Sequence, residues 1–114
     1  MLYAKTINDK PEKIGYRLLI TSAWPAKFHS SWADGFNPNL APPDELYNLL
    51  LERKISFENF REKYLQALDS QAERLQKLKK QAKEFEITLI SYPDFEGKSI
   101  GKIILEKVES LSPK

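Results

Sequence analysis

Cysteine is missing from all 114 residues, and its absence removes disulfides, thiolate metal ligands and cysteine nucleophiles together. Redox chemistry would have to be borrowed from a cofactor, and no motif calls for one, so none is expected. Histidine occurs once, at His29, too few for a zinc site built on paired imidazoles. No apolar run approaches the ~20 residues of a membrane-crossing helix. The opening stretch Met1 to Ile7 lacks the basic flank and long apolar core of a signal peptide. A reducing aqueous compartment, hence a cytoplasmic location without a membrane partner, is the expectation. Charge of one sign is lacking too. Eighteen Lys and Arg against sixteen Asp and Glu leave a formal charge of +2, too balanced for the field of a dedicated nucleic-acid binder.

What is present suits one core. Hydrophobic residues make up 41% of the chain and aromatic residues 11%, enough to offset the conformational entropy of folding in a chain of one-domain size. Leu2 to Ile7 reads as a peripheral strand, closed by the turn formers Asn8, Asp9, Lys10 and Pro11. Tyr16 to Thr21, after Gly15, is a continuous apolar run of the kind found in a central strand covered on both faces. Phe85 to Ser91 is a further β-branched, apolar strand. Between them, Ser22 to Pro43 carries four prolines and four large aromatics without a clear period and reads as a long loop.

Helical spacing fills the remainder. Pro43, Asp44 and Glu45 suit a helix start, with Leu46, Leu49 and Leu50 as its buried stripe. Ser56 is an N-cap for a helix with an inner face of Phe57, Phe60, Tyr64 and Leu68, and Ser70 with Glu73 reads as a capping box for another that buries Leu75, Leu78 and Ala82. Ile100, Ile103, Ile104, Val108 and Leu111 mark a last amphipathic helix, and Ser112 to Lys114 a frayed end. The order strand, helices, strand, helix predicts a single α/β domain over residues 1–114, a small, mainly parallel sheet of few strands packed with helices.

In such sheets ligands gather where the strands end, so two polar loops should meet. One runs from Thr21 through Trp24, Lys27, His29 and Asp34; the other runs from Tyr92 to Ser99. Gly97, Lys98 and Ser99 lie between a strand and a helix, the setting of a phosphate loop, but Tyr92 stands where that loop needs glycine and Pro93 removes an N–H donor. Simple anion docking on the helix start, or a plain surface turn with Ser99 as cap, are the readings left. Trp24, Lys27, His29, Asp34, Lys98 and Ser99 are thus the candidate ligand-binding residues, with His29 and Asp34 the one proposed proton-transfer pair. No metal site is expected.

Gly15, Arg17, Leu19, Trp24-Pro25, Asp34, Leu40-Ala41-Pro42, Glu45-Leu46, Phe60-Arg61, Tyr64 and Thr88-Leu89 together resemble the YeaO-like proteins, domain of unknown function 488. The resemblance covers nearly the whole chain and implies a compact α/β fold; it implies no established reaction. Where that family usually runs Val-Asp-Arg-x-Trp-Pro-Arg-Gly, this chain has Ile20-Thr21-Ser22-Ala23-Trp24-Pro25-Ala26-Lys27, losing one acid, two arginines and a glycine. The polar segment with Asn and His that ordinarily follows the last strand is replaced by Pro93 to Ser99. The resemblance therefore implies a kept scaffold with an altered or lost site.

The functional expectation is a small anionic ligand at the carboxyl-terminal edge of the sheet. Two other readings stand beside it: a nucleic-acid module using Lys77, Lys79, Lys80 and Lys83 of the helix 71–84, and a protein-interaction domain using the aromatic loop 24–36. Oligomeric state, ligand identity and any catalytic activity are left open.

Overall fold

Apolar runs too short to be helices pair into one parallel sheet in the computed structural model, which describes residues 1–9, 15–29 and 32–111. Lys10 and Pro11 of the expected turn and the expected frayed end at 112–114 lie outside the described residues. The strands are β1 (Leu2–Thr6), β2 (Tyr16–Leu19), β3 (Gly35–Phe36) and β4 (Ile87–Ser91), in the spatial order β1-β4-β2-β3. The helices are α1 (Asp44–Leu51), α2 (Phe57–Leu68), α3 (Ala72–Glu84) and α4 (Lys102–Ser110). The result is the predicted α/β fold. Among the described residues no helix is long and apolar enough to cross a membrane.

The last strand in sequence lies innermost. β4 pairs with β1 from Leu2↔Ile87 to Thr6↔Ser91 and with β2 from Tyr16↔Ile87 to Leu19↔Ile90, all in parallel. Flanked on both edges, it needs apolar side chains on both faces, and four of its five residues are buried. Gly15 sets the entry to β2. Its φ is +76°, and a Cβ there would lie 2.5 Å from the carbonyl oxygen of Glu86, the same oxygen that accepts the Tyr16 N–H at 2.8 Å; only glycine fits both demands.

The side-chain alternation of a strand divides the core in two. On one face, Ile20, Ile87 and Leu89 meet residues of all four helices: Leu50, Phe60, Tyr64, Leu68, Leu75, Leu78, Ala82, Ile103, Ile104 and Val108. On the other, Leu19 and Ile90 meet only Ala33, Ile7, Trp24 and Trp32. The helices thus share one face, and the aromatic loop after β2 covers part of the other.

Four local expectations need correction. The stretch 22–43 is not all loop: Gly35–Phe36 pairs with Leu18–Leu19, and Pro38–Leu40 forms a 3-10 turn capped by the Asn37 side chain. A two-residue strand carries no readable period. Phe85 lies outside β4; it caps α3 and is exposed. Phe57 is exposed as well, because Phe60, Tyr64 and Leu68 already fill the inner stripe of α2. Finally, α2 and α3 are separate, but by a 3-10 turn at Asp69–Gln71 and not by a capping box. Ser70 Oγ donates back to the Ala67 carbonyl at 3.0 Å, so it ends α2 instead of opening α3. The Ser56 cap forms as expected, its Oγ accepting the Asn59 N–H at 3.1 Å.

Tyr64 ties the two halves of the helical face together. It is fully buried, and its hydroxyl donates to the Leu40 carbonyl at 2.5 Å across 24 residues of sequence. Burial raises its pKa. Tyr64→Phe keeps the ring and orphans that carbonyl, so chemical denaturation should show a loss of about 1–3 kcal/mol. An unchanged denaturation midpoint would mean that water replaces the lost donor.

Candidate functional site at the carboxyl-terminal rim

All four strands being parallel, their ends share one rim. The chain leaves β1 at Ile7, whose N–H donates to Ser91 O at 3.0 Å, and leaves β2 at Ile20, whose N–H donates to Ile90 O at 2.9 Å. The convergence of the two loops after β2 and β4 is therefore present. The space between the two loops is small. A cavity of about 20 Å³ remains between Ile20, Thr21, Pro42, Tyr47, Tyr92 and Ile100, the room of about one water. Tyr47 and Tyr92 pack ring on ring at 6.2 Å, and the Tyr47 hydroxyl donates to the Pro93 carbonyl at 2.6 Å. None of the six candidate residues lines this cavity.

The loop after β4 is closed upon itself by Asp94. Its Oδ1 accepts the N–H groups of Glu96 at 2.8 Å and Lys98 at 2.9 Å, while Gly97 N–H donates to Asp94 O at 3.1 Å in a tight turn. Gly97 takes φ +82°, the left-handed conformation that such a turn asks of glycine. The donors that would cradle a phosphate are thus satisfied by the chain's own carboxylate. Ser99 Oγ accepts the Gly101 N–H at 3.2 Å, donates to Lys5 O at 3.2 Å and touches Ser91 Oγ at 3.2 Å. It is 9% exposed and ties the turn leading into α4 to β1 and β4.

The other candidates are spread apart. Lys98 lies 3.6 Å from Glu96. With Ser99 it lines a groove of about 340 Å³ that also holds Arg61, Lys102, Asp94, Glu96 and Glu106. Cations and carboxylates there are equal in number, and Arg61 is paired in a fork with Glu106, so the groove presents no net field to an anion. Trp24 is half-buried on the helix-free face, its Nε1–H donating to Phe28 O at 2.9 Å and its ring edge-on to Phe36 at 5.7 Å. Lys27 and His29 are exposed in the following turn. Asp34 sits at the start of β3, where Oδ2 accepts the Arg17 N–H at 2.8 Å and lies 3.6 Å from Arg17 Nε. Its carboxylate is thus engaged by Arg17.

The alternative surfaces are also partly occupied. Lys79 Nζ donates to the Leu111 carbonyl at 2.7 Å, which takes one lysine out of the basic helix face. In the aromatic loop, Phe28 and Trp32 stack face to face at 4.4 Å, and Trp24 and Trp32 are half-buried against the sheet. No group of three or more potential metal-binding side chains occurs among the described residues. Tyr47 was missing from the sequence reading, and Tyr92 entered it only as the start of the second loop and an obstacle to a phosphate loop; helical spacing places Tyr47 beside Leu46 and Leu50 but cannot show its reach to Pro93. Asp94 with Gly97 three residues on was the visible signal, the Asp-x-x-Gly signature of a turn.

Burial, then the neighbouring Tyr92 and Asp94, push the Tyr47 pKa up to about 12. The fold therefore holds the protonated phenol. This contribution is intact below the ordinary tyrosine value near 10 and is lost as pH rises toward about 12. Denaturation midpoints should fall across that window, and Tyr47→Phe should flatten the fall; an equal slope in the variant would place the loss elsewhere.

Comparison with curated proteins and with solved structures returns no match. The family comparison does, over residues 1–111: the chain belongs to DUF488-N3i, described as the inactive DUF488-N3 subclade.

Proposed function

We propose that this chain is a non-catalytic DUF488 domain that acts by binding, in the reducing aqueous compartment its lack of cysteine suits, and that its carboxyl-terminal rim has become structural. One observation carries the reading: Asp94 Oδ1 takes the Glu96 and Lys98 N–H donors at 2.8 and 2.9 Å. A reacting or docked anion would need those donors for itself. The cavity between the two loops, about 20 Å³, is far below the roughly 300 Å³ at which small-molecule sites begin, and the larger groove beside Lys98 sets three carboxylates against three cations. The description of the subclade as inactive supports the same reading. In it, Ser99 and Asp94 keep the last loop folded, Trp24 packs the sheet, and Lys98 is a solvent-facing partner of Glu96.

A phosphate titration followed in the amide NMR spectrum tests this. In the native chain the Glu96, Lys98 and Gly101 resonances should stay in place. In Asp94→Ala the same resonances should become phosphate-sensitive, and the fold should lose about 1–3 kcal/mol from two orphaned donors. Saturable movement of those resonances in the native chain would instead support the anion site at Lys98 and Ser99 and overturn the reading.

A further inference from the structure

Away from the rim, the space between the outer part of the sheet and α3 forms a groove of about 320 Å³. Its floor is apolar: Leu18, Leu40, Leu78 and Ile87. At its mouth stand Tyr16 and Phe85, edge to face at 6.4 Å and 71°. They are 39% and 44% exposed, a large aromatic surface to leave in water.

The charges lining it have one sign. Arg74 and Lys77 contribute two cations, Asn37 and Gln81 two amides, and among the described residues no carboxylate lines the groove. That asymmetry is local, since the chain as a whole carries 18 basic and 16 acidic side chains. The Arg74 guanidinium donates to the neutral Gln71 amide oxygen at 2.8 Å, so its charge is not neutralised there. Lys77 makes no ion pair among the described residues. The contrast with the groove beside Lys98, where acids match bases, is direct.

We infer that this groove is a binding site for a flat, apolar carboxylate, an aromatic acid of small-molecule size. The ring would lie on Leu78 and Ile87 against the Tyr16 and Phe85 edges, and the carboxylate would meet Arg74 and Lys77. An arginine fork matches a carboxylate in two parallel hydrogen bonds. The volume falls within the range of small-molecule pockets. Few polar groups line the floor, so a sugar-bearing ligand would leave its hydroxyls unpartnered. The inference takes its binding role from the reading above and adds the place and the ligand class.

Naphthoate is a suitable probe, with its uncharged amide and adenosine monophosphate as comparisons, on the full chain. Naphthoate should shift the Leu78, Gln81, Phe85 and Ile87 amide resonances saturably, while those of Glu96 and Lys98 stay still. Arg74→Glu with Lys77→Glu should weaken binding about tenfold or more. The uncharged naphthamide should lose a comparable factor on the native chain. Both substituted side chains are solvent-exposed, and an unchanged melting curve checks that the variant folds. Shifts that fail to saturate, equal binding of naphthoate and naphthamide, or tighter binding of adenosine monophosphate would each overturn the assignment. Failure here would leave the phosphate result at the rim untouched, since the two experiments read different amides.

Discussion

Parallel pairing of β4 between β1 and β2 is the constraint on which the rest of the molecule depends. It fixes the direction of every loop, because parallel neighbours end together. It also makes β4 the most buried strand, and the connection through α1, α2 and α3 packs on a single face. The opposite face is left to a loop. Trp24, Trp32 and Ala33 cover Leu19 and Ile90 there, which explains why a segment without helical or strand period carries so many large aromatic side chains.

The same constraint brings the loops after β2 and β4 to the rim where α/β sheets usually hold ligands. What the chain does with that place is unusual. Several polar groups that could face a ligand face the protein: Asp94 receives the loop amides, Ser99 accepts the Gly101 N–H ahead of α4, Thr21 Oγ1 donates to Ala23 O at 2.7 Å, and Tyr47 donates to Pro93 O. An unmade hydrogen bond in such a semi-buried loop costs more than a made one contributes. A rim whose amides are met by its own side chains is therefore stabilised without a ligand. The groove beside α3 is the reverse case, with apolar surface and two cations left facing solvent.

Much of the fold was legible because burial has a period. The stripes Phe60, Tyr64, Leu68 and Leu75, Leu78, Ala82 are buried as their spacing predicts. Features without a period were not legible. Gly35–Phe36 is a strand only because β2 offers it an edge. The split between α2 and α3 was readable at Asp69 and Ser70, although its chemistry differs, since Ser70 bonds backward to Ala67. The meeting of two loops at one rim was also legible. Their side-chain partners were not: Asp34 is drawn to Arg17 by a strand pair invisible in one dimension. Nor could sequence place Tyr16, Phe85 and Lys77 around one groove, since they come from β2, the end of α3 and its middle.

The most direct measurement of the central claim is a crystal structure grown from concentrated phosphate. The account predicts Asp94 Oδ1 still on the Glu96 and Lys98 N–H groups, near 2.8 and 2.9 Å, with Tyr47 still bonded to Pro93 O. A phosphate ion seated on those two amides, with the Asp94 carboxylate swung away and the tyrosines parted, would contradict it.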